Sequence, residues 1–338
     1  MTEHHSAISH AAYHDLLRSL KDEQASEIKG TPRLELRNGR RYWYDMFRVG
    51  SEVRKRYLGE DTPEMADRIS RHQTLADDRA ARDADRLRMV RILRAEGFQL
   101  CDTATGSMLT ALAKAGTFRL GGTIVGTHAF RLYEGELGVR FRLSDTMQTG
   151  DIDIAQFERL SLAVQDKVET PLQDSFRQLD FAPLPTTFGA AVWRWKQTRS
   201  NSMVEFLTPS FRPEEDIRPL TALGVSAQSL HYLNYLIAEP IKAAVLYRSG
   251  VLVQIPQPER FAIHKLIVAD RRRAGPDQIK SIKDRAQSAF LIRALAQDRP
   301  EELREAYEVA LASGPRWGER IASSLKRMPE TAALLAEL

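Results

Sequence analysis

Apolar positions change period several times along the chain, and these changes divide it. Residues 33–58 (RLELRNGRRYWYDMFRVGSEVRKRYL) alternate short apolar and polar runs around two turn signals, Asn38-Gly39 and Val49-Gly50-Ser51. Two tight turns between such runs predict a three-stranded meander. Thr62-Pro63-Glu64 predicts a helix start, with a hydroxyl N-cap, Pro at the first position and an acid in the first turn. That helix should reach Glu96 and stop at Gly97. Its middle, ADDRAARDADR, has little apolar stripe, so it either bridges parts of the molecule or is broken there. A second short helix is expected at 105–115, closed by Gly116.

Between 118 and 210 short β-like runs (120–125, 139–143, 151–154, 191–196, 203–207) alternate with helical ones (128–136, 160–179). Residues 211–230 read as a polar connector, and 242–247 with 251–255 flank Ser249-Gly250 as a hairpin. The remainder is helical, about four amphipathic segments separated at Gly275-Pro276, Arg299-Pro300, Gly314-Pro315 and Pro329. The expected organisation is α+β: 1–30 a polar N-terminal tail, 31–60 a basic aromatic β-meander, 61–116 a helical connector, 117–256 a mixed-sheet core with helices, and 257–338 a C-terminal helical domain.

Composition narrows the function classes. With 338 residues and 43% apolar side chains, the chain can bury a sizeable core and has room for about two domains. Its one cysteine, Cys101, excludes an intramolecular disulfide framework and a cysteine-rich zinc module. No run approaches the ~18 apolar residues of a membrane helix. The first ten residues lack the basic start and apolar stretch of a leader. A cytoplasmic protein without membrane partners is expected. The four histidines His4, His5, His10 and His14 lie in the polar start; His10 and His14 could share a helix face, but no third ligand is evident.

The net charge, +4, is too small to identify a nucleic-acid binder, but its distribution matters. Arg33, Arg37, Arg40, Arg41, Arg48, Arg54, Lys55 and Arg56 interleave with Tyr42, Trp43, Tyr44, Phe47 and Tyr57. That pattern suits a phosphate backbone and stacked bases, and over this short stretch it resembles the arm-type DNA-binding modules of integrases. The plainer alternative is a mini-sheet with one aromatic face buried and one charged face wet.

The strongest chemical signal is Thr149-Gly150-Asp151-Ile152-Asp153-Ile154. On a strand the two aspartates share one face and the isoleucines the other. Paired carboxylates repel unless a cation lies between them, and Mg²⁺ takes one or two carboxylates plus phosphate oxygens. Alone, an Asp-x-Asp is equally at home on an exposed strand. Upstream, Leu120-Gly121-Gly122-Thr123-Ile124-Val125-Gly126-Thr127-His128 reads as a strand ending in Gly-Thr at a helix mouth. There Gly126 admits a close ligand, while Thr127 and free N–H groups could hold a phosphate, or Thr127 could be an ordinary N-cap. Downstream, Met203-Val204-Glu205-Phe206-Leu207 sets one acid in an apolar strand, either an edge residue facing water or a third metal ligand.

These signals, in this order, resemble the nucleotidyltransferase superfamily of DNA polymerase beta. The stretch Val125-Gly126-Thr127-His128-Ala129-Phe130, then Tyr133, Thr149-Gly150-Asp151-Ile152-Asp153 and Val204-Glu205-Phe206-Leu207-Thr208-Pro209 is similar to a bacterial family within it, and the likeness runs from about 40 to 325. A second resemblance, to abortive-infection toxin nucleotidyltransferases, rests on Glu259-Arg260-Phe261-Ala262-Ile263-His264-Lys265-Leu266 and Lys283-Asp284, though Lys283-Asp284 reads equally as a surface salt bridge.

The resemblance implies a polymerase-beta-like core over 117–256 and transfer of a nucleoside monophosphate from a nucleoside triphosphate to a hydroxyl acceptor, such as RNA or transfer RNA. Asp151, Asp153 and Glu205 would be catalytic and hold two Mg²⁺ ions, with Mn²⁺ a substitute. Gly126, Thr127 and Lys265 would bind the nucleotide. The toxin likeness adds a cognate antitoxin protein as a partner. Thr127 stands where the superfamily has Ser or Gly, and Glu205 where it has Asp. The competing reading is a catalytically retired module that binds nucleic acid or a partner protein; a complete acidic trio favours the enzyme.

Overall fold

A computed structural model describes residues 3–25, 28, 30–49, 52–141, 150–157, 167–168, 171–184, 191–274 and 276–338. Helix α1 (Ala7–Ala25) buries Tyr13, Leu16, Leu17 and Leu20, spaced at i, i+3, i+4 and i+7, in one cluster with Val90, Leu93, Ala244 and Leu246. Sequence reading took residues 1–30 for a polar tail. The narrow apolar stripe was hidden because the rest of the helix is polar. The Tyr13 hydroxyl accepts from the Ala244 N–H at 3.1 Å, and its ring occupies the space that a side chain at Gly135 would need. Leu16→Ala should therefore lower stability by about 2–5 kcal/mol, as for other buried leucines; chemical denaturation checks this.

The meander forms as expected: β1 (Thr31–Arg37), β2 (Arg40–Val49) and β3 (Glu52–Glu60), all antiparallel. Asn38 and Gly39 both take positive φ, 49° and 75°, the geometry a two-residue hairpin turn needs. Thr62 Oγ1 caps α2 (Pro63–Asp77) by accepting from the Met65 N–H at 3.2 Å. The helix does not run through to Glu96. It breaks at Asp78, within the stretch without an apolar stripe, and α3 (Arg79–Ala95) follows.

The core comprises α4 (Thr103–Ala115), β4 (Thr123–Val125), α5 (Gly126–Leu137), β5 (Asp151–Ala155), α6 (Leu172–Gln178), β6 (Phe181–Pro183), β7 (Arg194–Gln197), β8 (Met203–Pro209), β9 (Ile217–Leu220), β10 (Val225–Leu230), α7 (Leu233–Leu236) and the hairpin β11 (Ile241–Val245) with β12 (Val251–Ile255). The mixed sheet has the order β4-β5-β8-β10-β9, with β7 also paired to β8 and β6 to β7. Strands β5, β8 and β10 are parallel; β4, β7 and β9 run against their partners. The stretch 211–230, read as a connector, supplies β9 and β10. Its strands are short: β9 buries Leu220, and in β10 Val225, Ala227 and Ser229 are buried in alternation with Ser226, Gln228 and Leu230. Of the strand expected at 139–143, Val139 makes a single bridge to His4, and 142–149 lie outside the described residues. So do 160–166 and 169–170 of the helix expected at 160–179; of its described residues, Leu172–Gln178 form α6.

Among the described residues five helices rather than about four close the chain: α8 (Pro258–Arg271), α9 (Gln278–Asp298), α10 (Pro300–Ala312), α11 (Pro315–Leu325) and α12 (Pro329–Ala336). Four of them start on proline, as its fixed φ and missing N–H favour. Helix α8 is the most enclosed, with Phe261, Ala262, Ile263, Leu266 and Ile267 all buried. Among the described residues no helix is long and apolar enough to cross a membrane.

Candidate active site

Strand β5 alternates as its sequence suggests. Ile152 and Ile154 are buried and Asp151 and Asp153 are half-buried on the other face. In β8, Val204 and Phe206 likewise point inward and Glu205 outward. The parallel register pairs Asp153 with Glu205, and the antiparallel register of β4 pairs Asp153 with Val125. Directly paired residues project to the same face of a sheet. Three carboxylates therefore share one face, and Asp153 sits in the middle strand, one residue from the Gly126 turn.

Gly126 is required at that turn. Its φ is +67°, and an added Cβ would lie 2.4 Å from Asp153 Oδ2. Any side chain there would be strained and would displace the carboxylate. Gly126→Ala is thus expected to impair whatever chemistry the Asp153 carboxylate carries, with only a small change in melting temperature; an activity assay with a thermal melt separates the two. The helix α5 begins at Gly126 itself, not after a Thr127 cap, and Thr127 is buried in its first turn. Of the two sequence readings of its hydroxyl, phosphate donor or ordinary N-cap, the second does not hold.

Burial and mutual repulsion set the electrostatics of the three acids. Burial, then Glu205, then Asp151 raise Asp153 to about 7, against the pull of Lys265 and Arg272. Burial raises Asp151, opposed by Lys280 and Lys283. Burial also raises Glu205, opposed by Arg194 and reinforced by Asp151. Among the described residues no group of three His, Cys, Asp or Glu side chains is drawn together as a ready-made metal cage. Mg²⁺ does not require one, since it keeps waters and substrate phosphates in its shell.

Facing the acids is a set of cations from α8 and α9. Lys265 is buried, and its Nζ donates to Asp284 Oδ1 at 2.5 Å; Arg272 Nη1 donates to Asp284 Oδ2 at 2.8 Å. Burial pushes the Asp284 carboxyl up, but Lys265 and Arg272 outweigh it and hold it below the ordinary range. Asp284 is thus no surface partner of its neighbour Lys283; it joins α9 to the end of α8. Burial and Lys265 depress Lys283. His264 is buried, which together with Lys265 pushes it down to about 3, so it stays neutral and is no proton carrier at neutral pH. Arg271 instead pairs with Glu215 at 2.8 and 3.0 Å.

Sequence reasoning missed Arg194. Its Nη1 lies 3.9 Å from Glu205 Oε1, and the guanidinium stacks on the Trp193 ring at 4.3 Å. The antiparallel register of β7 with β8, which aligns Arg194 with Glu205, is the only signal that marks it.

A family model described as Nucleotidyltransferase matches residues 103–312. A second, described as a domain of unknown function (DUF6788), matches residues 11–67. Among solved structures, a crystal structure of an antigenic nucleotidyltransferase-like protein from Paracoccidioides brasiliensis is 14% identical, with a TM-score of 0.35, and covers 66% of this chain and 95% of its own. No curated protein matches. The Nucleotidyltransferase match extends from the start of α4 to the end of α10, over half of the chain, and takes in Gly126, Asp151, Asp153, Glu205 and Lys265; the chain belongs to the nucleotidyltransferase family.

Proposed function

We propose that this chain is a Mg²⁺-dependent enzyme that transfers a nucleoside monophosphate from a nucleoside triphosphate to a hydroxyl acceptor, an RNA 3′ end above all. The register that seats Asp153 between Val125 and Glu205 carries the reading. The donor set fits the metal. Carboxylate oxygens are hard donors, and their mutual repulsion is relieved when a cation joins them. When bound, a pair of Mg²⁺ ions would neutralise developing charge and ease deprotonation of the acceptor hydroxyl.

The chain's own residues do the rest. Asp151 and Asp153 would hold the metal, and Glu205 would lie on the nucleophile side, where Arg194 steadies it. Gly126 leaves Asp153 its place and opens the N-terminal N–H groups of α5 to a phosphate. Lys265, Arg272, Lys280 and Lys283 supply positive charge for the triphosphate and the departing pyrophosphate. Asp284 orients the first two.

The test is direct. The purified chain is incubated with each α-labelled nucleoside triphosphate, Mg²⁺ and total cellular RNA. Label should appear in RNA for at least one nucleotide, vanish with chelator and return with Mg²⁺ or Mn²⁺. Absence of label in RNA, protein and small molecules alike would leave a retired core.

A further inference from the structure

We infer that the outer face of the β1–β3 meander is a binding surface for single-stranded nucleic acid. This deepens the proposed function by naming the polymer that brings the acceptor, but it stands on the meander alone.

The two faces of this sheet differ. On the inner face Asp45 is fully buried and accepts from the Gly30 N–H at 2.8 Å and from Arg56 at 3.1 Å. Trp43 Nε1 donates to Asp61 at 2.8 Å. Helix α2 lies on this side, its Met65 against Gly59 and its His72 3.3 Å from the Gly30 carbonyl. The inner face thus has partners within the chain along β2 and β3, while Leu34 and Leu36 on β1 stay exposed there.

Among the described residues, the ring and ion-pair contacts of the outer face lie within the meander itself. Strand register places Arg33 opposite Tyr44, Tyr44 opposite Tyr57, Glu35 opposite Tyr42 and Met46 opposite Lys55. By alternation Arg33, Arg37, Arg40, Tyr42, Tyr44, Lys55 and Tyr57 all belong to it. The three tyrosine rings form a ladder, Tyr42 to Tyr57 at 6.0 Å and Tyr44 to Tyr57 at 5.7 Å. Tyr57 is 56% exposed. Cations frame the rings, with Lys55 Nζ 4.0 Å and the Arg37 guanidinium 5.3 Å from the centre of Tyr44. Glu35, paired with Lys55 and 3.7 Å from Arg37, holds both beside the ring.

A ladder of one exposed ring, Tyr57, and two half-buried ones, Tyr42 and Tyr44, is poor solvation but a good stacking platform, and the cations around it suit phosphates. Charge supports the same partner. Residues 31–60 hold eight basic and four acidic side chains, a surplus equal to the +4 of the whole chain. Bases must be unstacked from their complement to reach such rings, which selects single strands over duplex.

Fluorescence anisotropy tests the idea on the full chain, in chelator and without nucleotide, so that transfer plays no part. The probes are U-rich RNA and T-rich DNA of about 20 nucleotides, the same DNA as duplex, and vesicles rich in anionic lipid. Single strands should bind more tightly than duplex or vesicles, RNA over DNA or the reverse telling which polymer is the source. Tyr44→Ala/Tyr57→Ala should weaken binding about 10-fold or more, and Tyr44→Phe/Tyr57→Phe should retain it, which separates stacking from folding damage. Arg33→Ala/Arg37→Ala should flatten the plot of log affinity against log salt by about 1.4. Absent binding, an unaffected Tyr→Ala pair, or equal affinity for duplex or vesicles overturns the inference. RNA labelling with binding lost would sink this surface and spare the transferase; intact binding without labelling would do the opposite.

Discussion

Asp153→Ala is expected to reduce nucleotide transfer by more than about 100-fold while leaving the fold intact. Loss of a mere neighbour of a metal ligand already costs about 10–100-fold, and Asp153 is placed as a ligand itself. Stability should move the other way. Its carboxyl ionises near 3.9 when unfolded and at about 7 when folded. A raised carboxyl means that the folded state binds the proton more tightly. This group's contribution therefore falls as pH climbs from about 4, and the loss is complete above about 7. In chelator the wild-type chain should melt higher at pH 5.5 than at pH 8 as far as this group decides, and Asp153→Asn should remove that difference and raise the melting temperature at pH 8. Full activity in Asp153→Ala would take the acidic trio out of the reaction. A large drop in melting temperature at pH 8 would show that Asp153 is a structural anchor.

The parts of this site that sequence revealed are those set by local period. Ile152 and Ile154 around Asp153, and Val204 and Phe206 around Glu205, mark a strand with one buried face whichever strand lies beside it. Gly126 was legible as a turn residue because only glycine takes its φ cheaply. Proline starts likewise gave the C-terminal helices. Register was not legible. Nothing local says that β5 pairs in parallel with β8, some fifty residues on, or that Arg194 falls opposite Glu205. The same gap explains β9 and β10, whose polar outer residues hid two short strands completed by their neighbours, and α1, whose four buried apolar residues matter only once α3 and β11 are there to receive them. The α+β class was readable from element patterns, while the break at Asp78 was one of two open readings. Lys283-Asp284 looked like one motif, yet consecutive residues on a helix point about 100° apart, and Asp284 turns inward to Lys265.

Asp284→Ala is expected to be the most destabilising single change at the site, costing about 3–5 kcal/mol, because it leaves the buried Lys265 ammonium and part of the Arg272 charge without their counter-charge. Lys265→Met should cost less, since Asp284 keeps Arg272 at 2.8 Å. The double change Lys265→Met/Asp284→Leu discriminates between two roles for the pair. A buried ion pair replaced by apolar side chains of similar size is often neutral or better for stability, so the double variant should recover much of what Asp284→Ala loses. Transfer should not recover with it. If Lys265 lends its charge to the triphosphate, the double variant folds well but keeps a raised KM for the nucleotide and a lowered kcat. Denaturant melts and kinetics on the same preparations read both quantities. Recovery of stability together with wild-type kinetics would reduce Lys265 and Asp284 to a clasp between α8 and α9. Recovery of stability alone ties the clasp to catalysis, since the fold would then be holding a costly buried charge where an apolar pair would serve it equally well.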